Sequence, residues 1–383
     1  MTTIIKGDVI SGTDVIKNGF VIVDNGKIVD VTAKAPSGVI DLDRSGFLVA
    51  PGFVDMHVHG GGGADFMDGT VDAVRTALAS HARHGTTGLL ATTITASRND
   101  VDEAIVAIKE VVRDPQPGEA RILGIHLEGP YICASRRGAQ PLEPIRLPDV
   151  DEFCHWVELS GGLIREITLA AEVEGAIDFI RAARDFDVVC SIGHTSATAA
   201  QTLLAIDAGA GQVTHLFNAM RGLHHREPGT VGAALMSPKV AVELICDGVH
   251  LDPAIVRLAV TLKTPKRCVL ITDAMQGADM PDGQYMLGGN QVTSANGIAA
   301  FADGTLAGSV LTMDRAFANI QKFAGVSAVD ASLMASGVPA RQIGAGARIG
   351  AVESGKEADL VVIDPTSGAV DTTLVGGITA YQR

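Results

Sequence analysis

Phe47-Leu48-Val49-Ala50-Pro51-Gly52-Phe53-Val54-Asp55-Met56-His57-Val58-His59 is a largely apolar run that ends in two histidines. Side chains alternate faces along a strand, so residues two apart point the same way and both imidazoles can reach one metal ion. The pair alone is a weak signal. It gains force because Glu128, His194, His215 and Asp273 each stand at the end of a later apolar run. The strand-like runs are 47–59, 88–93, 122–128, 166–171, 188–192, 213–217, 241–246 and 269–272. Between most of them, as at 70–84, 101–113, 176–185 and 198–208, apolar residues recur three and four apart, as in amphipathic helices. Eight β runs with helical crossovers predict an α/β fold, a closed parallel (β/α)8 TIM-like barrel. The rival is an open doubly wound sheet, but no G-x-G-x-x-G follows the first run.

The first fifty residues read as short strands, with Asn25-Gly26 supplying the positive φ angles of a type I′ hairpin turn. After Ser309 the pattern is helical to about Gly344, and strands follow at 358–364 and 372–381. The strand-rich ends predict one small β-sandwich domain built from 1–50 and 346–383, leaving 51–345 as the barrel. Two long insertions, 129–148 and 276–303, fall on the rim where the ligand-type residues converge. The second carries Pro281-Asp282-Gly283 and Asn296-Gly297 and reads as hairpins. Long rim loops commonly carry function.

The chain has 383 residues, of which 46% are hydrophobic, 4% aromatic and 44 glycine, a balance suited to an aliphatic α/β core with many turns. Its net charge of −14 argues against nucleic acid and anionic membrane surfaces as partners. The N-terminus lacks the pattern of a signal peptide, and no run of about twenty apolar residues predicts a membrane span. Five cysteines, none in a C-x-x-C pair, fit a cytoplasmic protein.

If the strand ends share one rim, His57, His59, Glu128, His194, His215 and Asp273 meet there. Imidazole with carboxylate suits Zn²⁺, and also Fe²⁺, Mn²⁺ or Co²⁺. Five ligands before Asp273 exceed what one open tetrahedral site requires. The simplest partition is two ions bridged by Glu128, one held by His57 and His59, the other by His194 and His215. A divalent ion there lowers the pKa of a water toward neutrality. Some two-metal hydrolases bridge their ions with a carboxylated lysine, but this chain has no lysine between Lys109 and Lys239, so the bridge falls to a carboxylate. The competing reading, scattered core or surface histidines, suits the others better: His81 and His84 as exposed residues on the first helix, His155 packed beside Trp156 or facing solvent, and His126 as packing or a support to the ligands.

Residues 50–60, APGFVDMHVHG, resemble the opening signature of the amidohydrolase superfamily. His126-Leu127-Glu128-Gly129-Pro130, Gly193-His194-Thr195, Thr214-His215-Leu216-Phe217-Asn218-Ala219-Met220, Arg226-Glu227-Pro228-Gly229, Asp247-Gly248-Val249-His250, Thr272-Asp273-Ala274 and Leu306-Ala307-Gly308-Ser309 resemble, more closely, the family of N-acetylglucosamine-6-phosphate deacetylases. The resemblance runs from Pro51 to Asp364. It implies hydrolysis of N-acetylglucosamine 6-phosphate to glucosamine 6-phosphate and acetate, with a divalent cofactor (zinc first; iron, manganese, cobalt or cadmium as alternatives). By the same analogy Glu128, His194 and His215 are metal ligands and Asp273 is the general acid/base. His250 contacts the acetamide carbonyl. Asn218, Ala219 and Arg226 bind the sugar phosphate, and Ala139 with Leu306, Ala307 and Gly308 lines the sugar. The family's phosphate-binding arginine can come from a neighbouring subunit, which implies a homodimer.

Two departures stand out. Some relatives replace the first two histidines and keep one metal, whereas this chain has both His57 and His59, and Gln140 stands where relatives often have histidine. Cys133, beside Arg136 and Arg137 in the first insertion, is a candidate for a lid or redox role, with an inert loop thiol as the alternative. The readings weighed against deacetylation of this sugar are the N-acetylgalactosamine 6-phosphate epimer or another N-acyl amine, a barrel that binds without catalysis, and a nucleobase deaminase. The last has no need of Arg226 with Asn218.

Overall fold

The computed structural model describes residues 2–383. Among them, eight parallel strands stand side by side in chain order: Phe53–Val58, Thr86–Thr93, Arg121–Glu128, Ile164–Leu169, Val189–Ile192, Gln212–Val213, Ala241–Ile245 and Cys268–Ile271. The first and last meet at their C-terminal ends through a parallel bridge between Val58 and Ala274, with His59 N–H donating to Ala274 O at 2.8 Å and Asp273 N–H to His57 O at 2.8 Å. These strands are buried on both faces, as in Phe53–Val58 and Thr86–Thr93, where every residue is buried. The crossover helices are set by their first turns. Thr70, Ser97 and Thr198 each accept an N–H from the third residue of the helix that follows.

The run at 47–59 is not one strand. Leu42–Pro51 pairs with the chain-end strands Thr2–Ser11 and Leu360–Ile363, and Phe53–Val58 pairs in the barrel. Gly52 is the crossing point: its N–H donates to Asp359 O at 2.9 Å while the next N–H, of Phe53, goes to Gly85 O at 3.0 Å. A Cβ on Gly52 would lie 2.2 Å from Thr87 Cγ2, so Gly52→Ala is expected to cost about 1–3 kcal/mol of stability, the range for overpacking, read as a lowered denaturation midpoint.

The chain ends form one seven-stranded sheet that curls on itself, so a single sheet makes the layers of the expected sandwich. Ala358 N–H donates to Gly26 O at 2.9 Å and Gly377 N–H to Ala358 O at 2.8 Å, which brings the Asn25-Gly26 turn against the C-terminal strands. Ile5, Val9, Val21, Ile28, Leu360 and Leu374 fill the space between. The turn has the expected positive φ at both Asn25 and Gly26. The stretch at 372–381 is a hairpin, Val370–Val375 and Ile378–Gln382, because Gly376 and Gly377 both take positive φ. The run at 213–217 is strand only to Val213; beyond it His215 and Phe217 take positive φ and turn the chain across the rim. The insertion at 276–303 does form a three-stranded antiparallel sheet.

Candidate active site

The barrel interior is polar. Alternate strand residues point inward, and from the first strand these are Asp55 and His57. Asp55 accepts the Thr272 hydroxyl at 2.5 Å. His126 Nε2 lies 2.8 Å from Thr168 Oγ1, Thr168 Oγ1 is 2.7 Å from Thr214 Oγ1, and Gln212 Nε2 donates to Glu166 and Glu243 at 2.7 Å each. Burial and the neighbouring Glu243 push the Glu166 carboxyl well above its usual range. Burial alone is enough to raise Asp55 to about 7 against its hydrogen bonds.

Above this layer the expected ligands converge. Glu128 Oε1 lies 3.0 Å from His194 Nε2, 3.1 Å from His215 Nε2 and 3.3 Å from His57 Nε2. Its Oε2 lies 3.3 Å from His59 Nε2. Two trios that could hold a metal ion therefore share one carboxylate: His57, His59 and Glu128, and Glu128, His194 and His215. Asp273 Oδ1 stands beside the first trio, 3.3 Å from His59 Nε2 and 3.6 Å from His57 Nε2.

The donor set fits a cation. His57 Nδ1 is 3.1 Å from Glu243 Oε2, and His194 Nδ1 is 3.0 Å from Arg136 O. Acceptors behind these rings keep the proton on Nδ1 and leave the Nε2 lone pairs facing the centre. The facing Nε2 atoms of His194 and His215 are 3.1 Å apart, and His57 Nε2 is buried without a hydrogen bond. Burial disfavours charge here, yet His57, His194 and His215 hold Glu128 well below its usual range, and His57 with His59 draws Asp273 down to about 2. Five of the eleven described non-glycine residues with positive φ lie at this site: His194, His215, Phe217, Ala219 and Asp273. Such backbone concentrates where the surrounding structure fixes a functional side chain.

The ligands floor a cleft of about 290 Å³, whose lining also includes Ala139, Gln140, Asn218, Ala219, His250 and Leu306. Gly308 lines it too, while the Ala307 side chain is buried behind. Arg226 is not among the lining residues. It sits exposed on the loop before the helix Gly229–Met236, with Nη1 2.8 Å from His225 Nε2. Gln140 is buried, its amide donating to Glu128 Oε2 and its oxygen accepting Thr95 N–H at 2.7 Å. Cys133 Sγ contacts Ser135 Oγ at 3.2 Å, and the guanidinium groups of Arg136 and Arg137 turn instead to Ser196 Oγ and Gln140 O.

Three histidines correct or sharpen the sequence reading. His81, expected at the surface, is buried with Nε2 3.0 Å from Gly60 O, because the first helix packs on the loop after His59. His84 is partly buried between Asp279 and Asp314. His126 packs edge-on against His57, ring centroids 4.6 Å apart, and burial with that neighbour drives its pKa well below the usual value. The sequence reading missed Glu243, which orients His57, and Glu172, which accepts Ser196 N–H and the Thr195 hydroxyl and so pins the turn after His194. For Glu243 the signal was present, an acid in the middle of Val240-Ala241-Val242-Glu243-Leu244-Ile245.

A polar barrel with two histidine pairs on one glutamate is the arrangement of a metal-dependent hydrolase, and the amidohydrolase family matches residues 48–379. The chain belongs to that family. Within it, the chain is 39% identical over 381 residues to the N-acetylglucosamine-6-phosphate deacetylase of Bacillus subtilis, covering 98% of this chain and 96% of that one. It is 40% identical over 334 residues to the N-acetylgalactosamine-6-phosphate deacetylase of Escherichia coli O157:H7, covering 87% and 88%. A solved structure of a mutant N-acetyl-D-glucosamine-6-phosphate deacetylase from Mycobacterium smegmatis, in complex with N-acetyl-D-glucosamine-6-phosphate, superposes with a TM-score of 0.94 at 37% identity, covering 100% of both chains.

Proposed function

We propose that this protein hydrolyses N-acetylglucosamine 6-phosphate to glucosamine 6-phosphate and acetate. The observation that carries the proposal is the shared carboxylate: Glu128 joins two imidazole pairs at the floor of a cleft whose rim holds Asp273 and His250. Two divalent ions, zinc first, would be held by His57, His59 and Glu128 and by Glu128, His194 and His215, with Asp273 beside the first. Iron, manganese, cobalt and cadmium are the alternatives. When bound, such ions supply Lewis acidity to the acyl oxygen and lower the pKa of a water.

The chain's own groups do the rest. Asp273, ionised through its histidine neighbours, takes a proton from the attacking water and returns it to the departing amine nitrogen. His250 contacts the acyl oxygen. Asn218 and Ala219 bind the sugar phosphate, and Ala139 with the backbone at Leu306, Ala307 and Gly308 lines the sugar. The second reading, the galactosamine epimer, is favoured by the similarity to the Escherichia coli enzyme, and the shape of the cleft decides between epimers. Acetate release from N-acetylglucosamine and N-acetylgalactosamine, each with and without the 6-phosphate, tests both. Preference for the unphosphorylated sugars would refute the proposal.

The protein acts as a homodimer in which Arg226 reaches the neighbouring cleft. This reading is supported by the exposure of Arg226 away from its own cleft and by the exposed apolar residues Leu204 (60%), Leu223 (52%) and Met236 (77%) on adjoining segments. Guanidinium grips phosphate with two donors. Arg226→Ala should therefore raise KM at least about tenfold for the phosphorylated sugar, the loss of one charged hydrogen bond, and leave the unphosphorylated sugar nearly unchanged. Equal effects on both would remove phosphate reading from Arg226. The free state of all five thiols fits the cytoplasm as the compartment. Among the described residues no helix is long and apolar enough to cross a membrane.

A further inference from the structure

We infer that Asp247 is a positioning residue that fixes the ring of His250 and aims its Nε2–H at the oxygen of the scissile acyl group. The inference takes its substrate from the deacetylation reading, but its geometry stands without it. Asp247 lies two residues past the seventh barrel strand, Ala241–Ile245, so it sits on the same rim as the ligands. Its Oδ1 accepts two backbone N–H groups, from Val249 and His250, both at 2.8 Å, which locks the carboxylate in place. Its Oδ2 is 2.7 Å from His250 Nδ1, within the range of charge-assisted pairs. Both side chains are only 7% exposed.

A carboxylate at Nδ1 requires a proton there. The other nitrogen, Nε2, makes no hydrogen bond among the described residues and is not sealed off, on a ring that lines the same cleft as Asp273. Burial disfavours charge on both partners. Their contact outweighs it, lowering Asp247 and raising His250, to which Asp273 adds. The direction of that shift favours the ring that carries a proton on each nitrogen. A neutral ring with its only proton committed to Asp247 would present a lone pair to the acyl oxygen, the wrong polarity. The dyad makes His250 a donor to charge that grows on that oxygen as the tetrahedral adduct forms, the place where a fixed donor contributes most.

The test is a series of variants in the metal-loaded enzyme. Asp247→Asn keeps an oxygen for the two backbone N–H groups, and its amide can turn the neutral ring so that Nε2 carries the proton. It should lower kcat about tenfold with KM shifted less than about threefold. Asp247→Ala frees the ring and should lower kcat about a hundredfold, the scale of losing one oxyanion donor. In a His250→Asn background, neither change at position 247 should lower kcat further, because coupled residues are not additive. Losses that add in the double variants, or an Asp247→Ala enzyme within threefold of the parent, would overturn the inference. Histidine ¹⁵N–¹H spectra read the dyad without substrate: the parent should show a strongly hydrogen-bonded Nδ1 proton on His250 that Asp247→Ala abolishes, and its absence in the parent would also overturn the inference. A parent enzyme that folds and shows that proton yet releases no acetate would sink the functional reading and leave the dyad standing.

Discussion

Glu128→Gln is expected to leave a folded barrel that no longer holds its ions and releases acetate at least about a thousandfold more slowly. The argument is local. Glu128 is 2% exposed, and its Oε1 alone is within 3.3 Å of three imidazole nitrogens. Each histidine pair uses this one carboxylate, so its charge serves both sites. The amide has nearly the same shape but no charge, and it turns a donor toward rings whose Nε2 lone pairs should face a cation. Residues behind a ligand change affinity or activity by about ten- to a hundredfold, and removal of the shared ligand should exceed that. Metal content by mass spectrometry, together with kcat, checks the expectation. Full occupancy with turnover within tenfold of the parent would show that Glu128 is not the bridge.

Asp273→Asn separates proton transfer from metal binding. Asp273 lies two residues past the last barrel strand in a positive-φ conformation, with its backbone N–H bonded to His57 O. Asn tolerates that conformation and fits the same space. The variant should fold, bind metal and bind sugar phosphate with KM nearly unchanged, while kcat falls at least about a hundredfold, the lower end for general acid–base catalysis. Near-normal turnover would remove Asp273 from the proton path. Loss of metal together with kcat would make it primarily a ligand.

Much of this site is legible in the sequence because the barrel enforces a simple rule: ligands fall where strands end. His57, His59, Glu128, His194, His215 and Asp273 follow that rule, and the structure brings all six together. The layer beneath them was not read. Glu243 sits inside an apolar run, and Glu166 and Gln212 stand at the starts of theirs; only closure of the barrel turns the three into the chain that ends on His57. His81 was misread because helical spacing marks an apolar face, and a histidine on the inner face bonds to backbone of the Gly60 loop that the sequence does not place nearby. Runs 47–59 and 372–381 read as single strands in the sequence because apolar character continues through Gly52 and strand-like residues flank Gly376-Gly377, where the backbone changes sheet or reverses. Of the expected substrate contacts, Arg226 and the Ala307 side chain fall outside the cleft; Ala307 is buried behind it, while Arg226 is exposed, and the phosphate assignment of Arg226 therefore rests on the proposed dimer.

The central claim, that this rim activates water against the acetamide of a phosphorylated amino sugar, is tested most directly by one rate. Acetate release from N-acetylglucosamine 6-phosphate should be lost when the protein is stripped of metal and return in proportion to divalent ion restored, up to two equivalents per chain. Stripped protein that still releases acetate, or fully loaded protein that releases none, would contradict it.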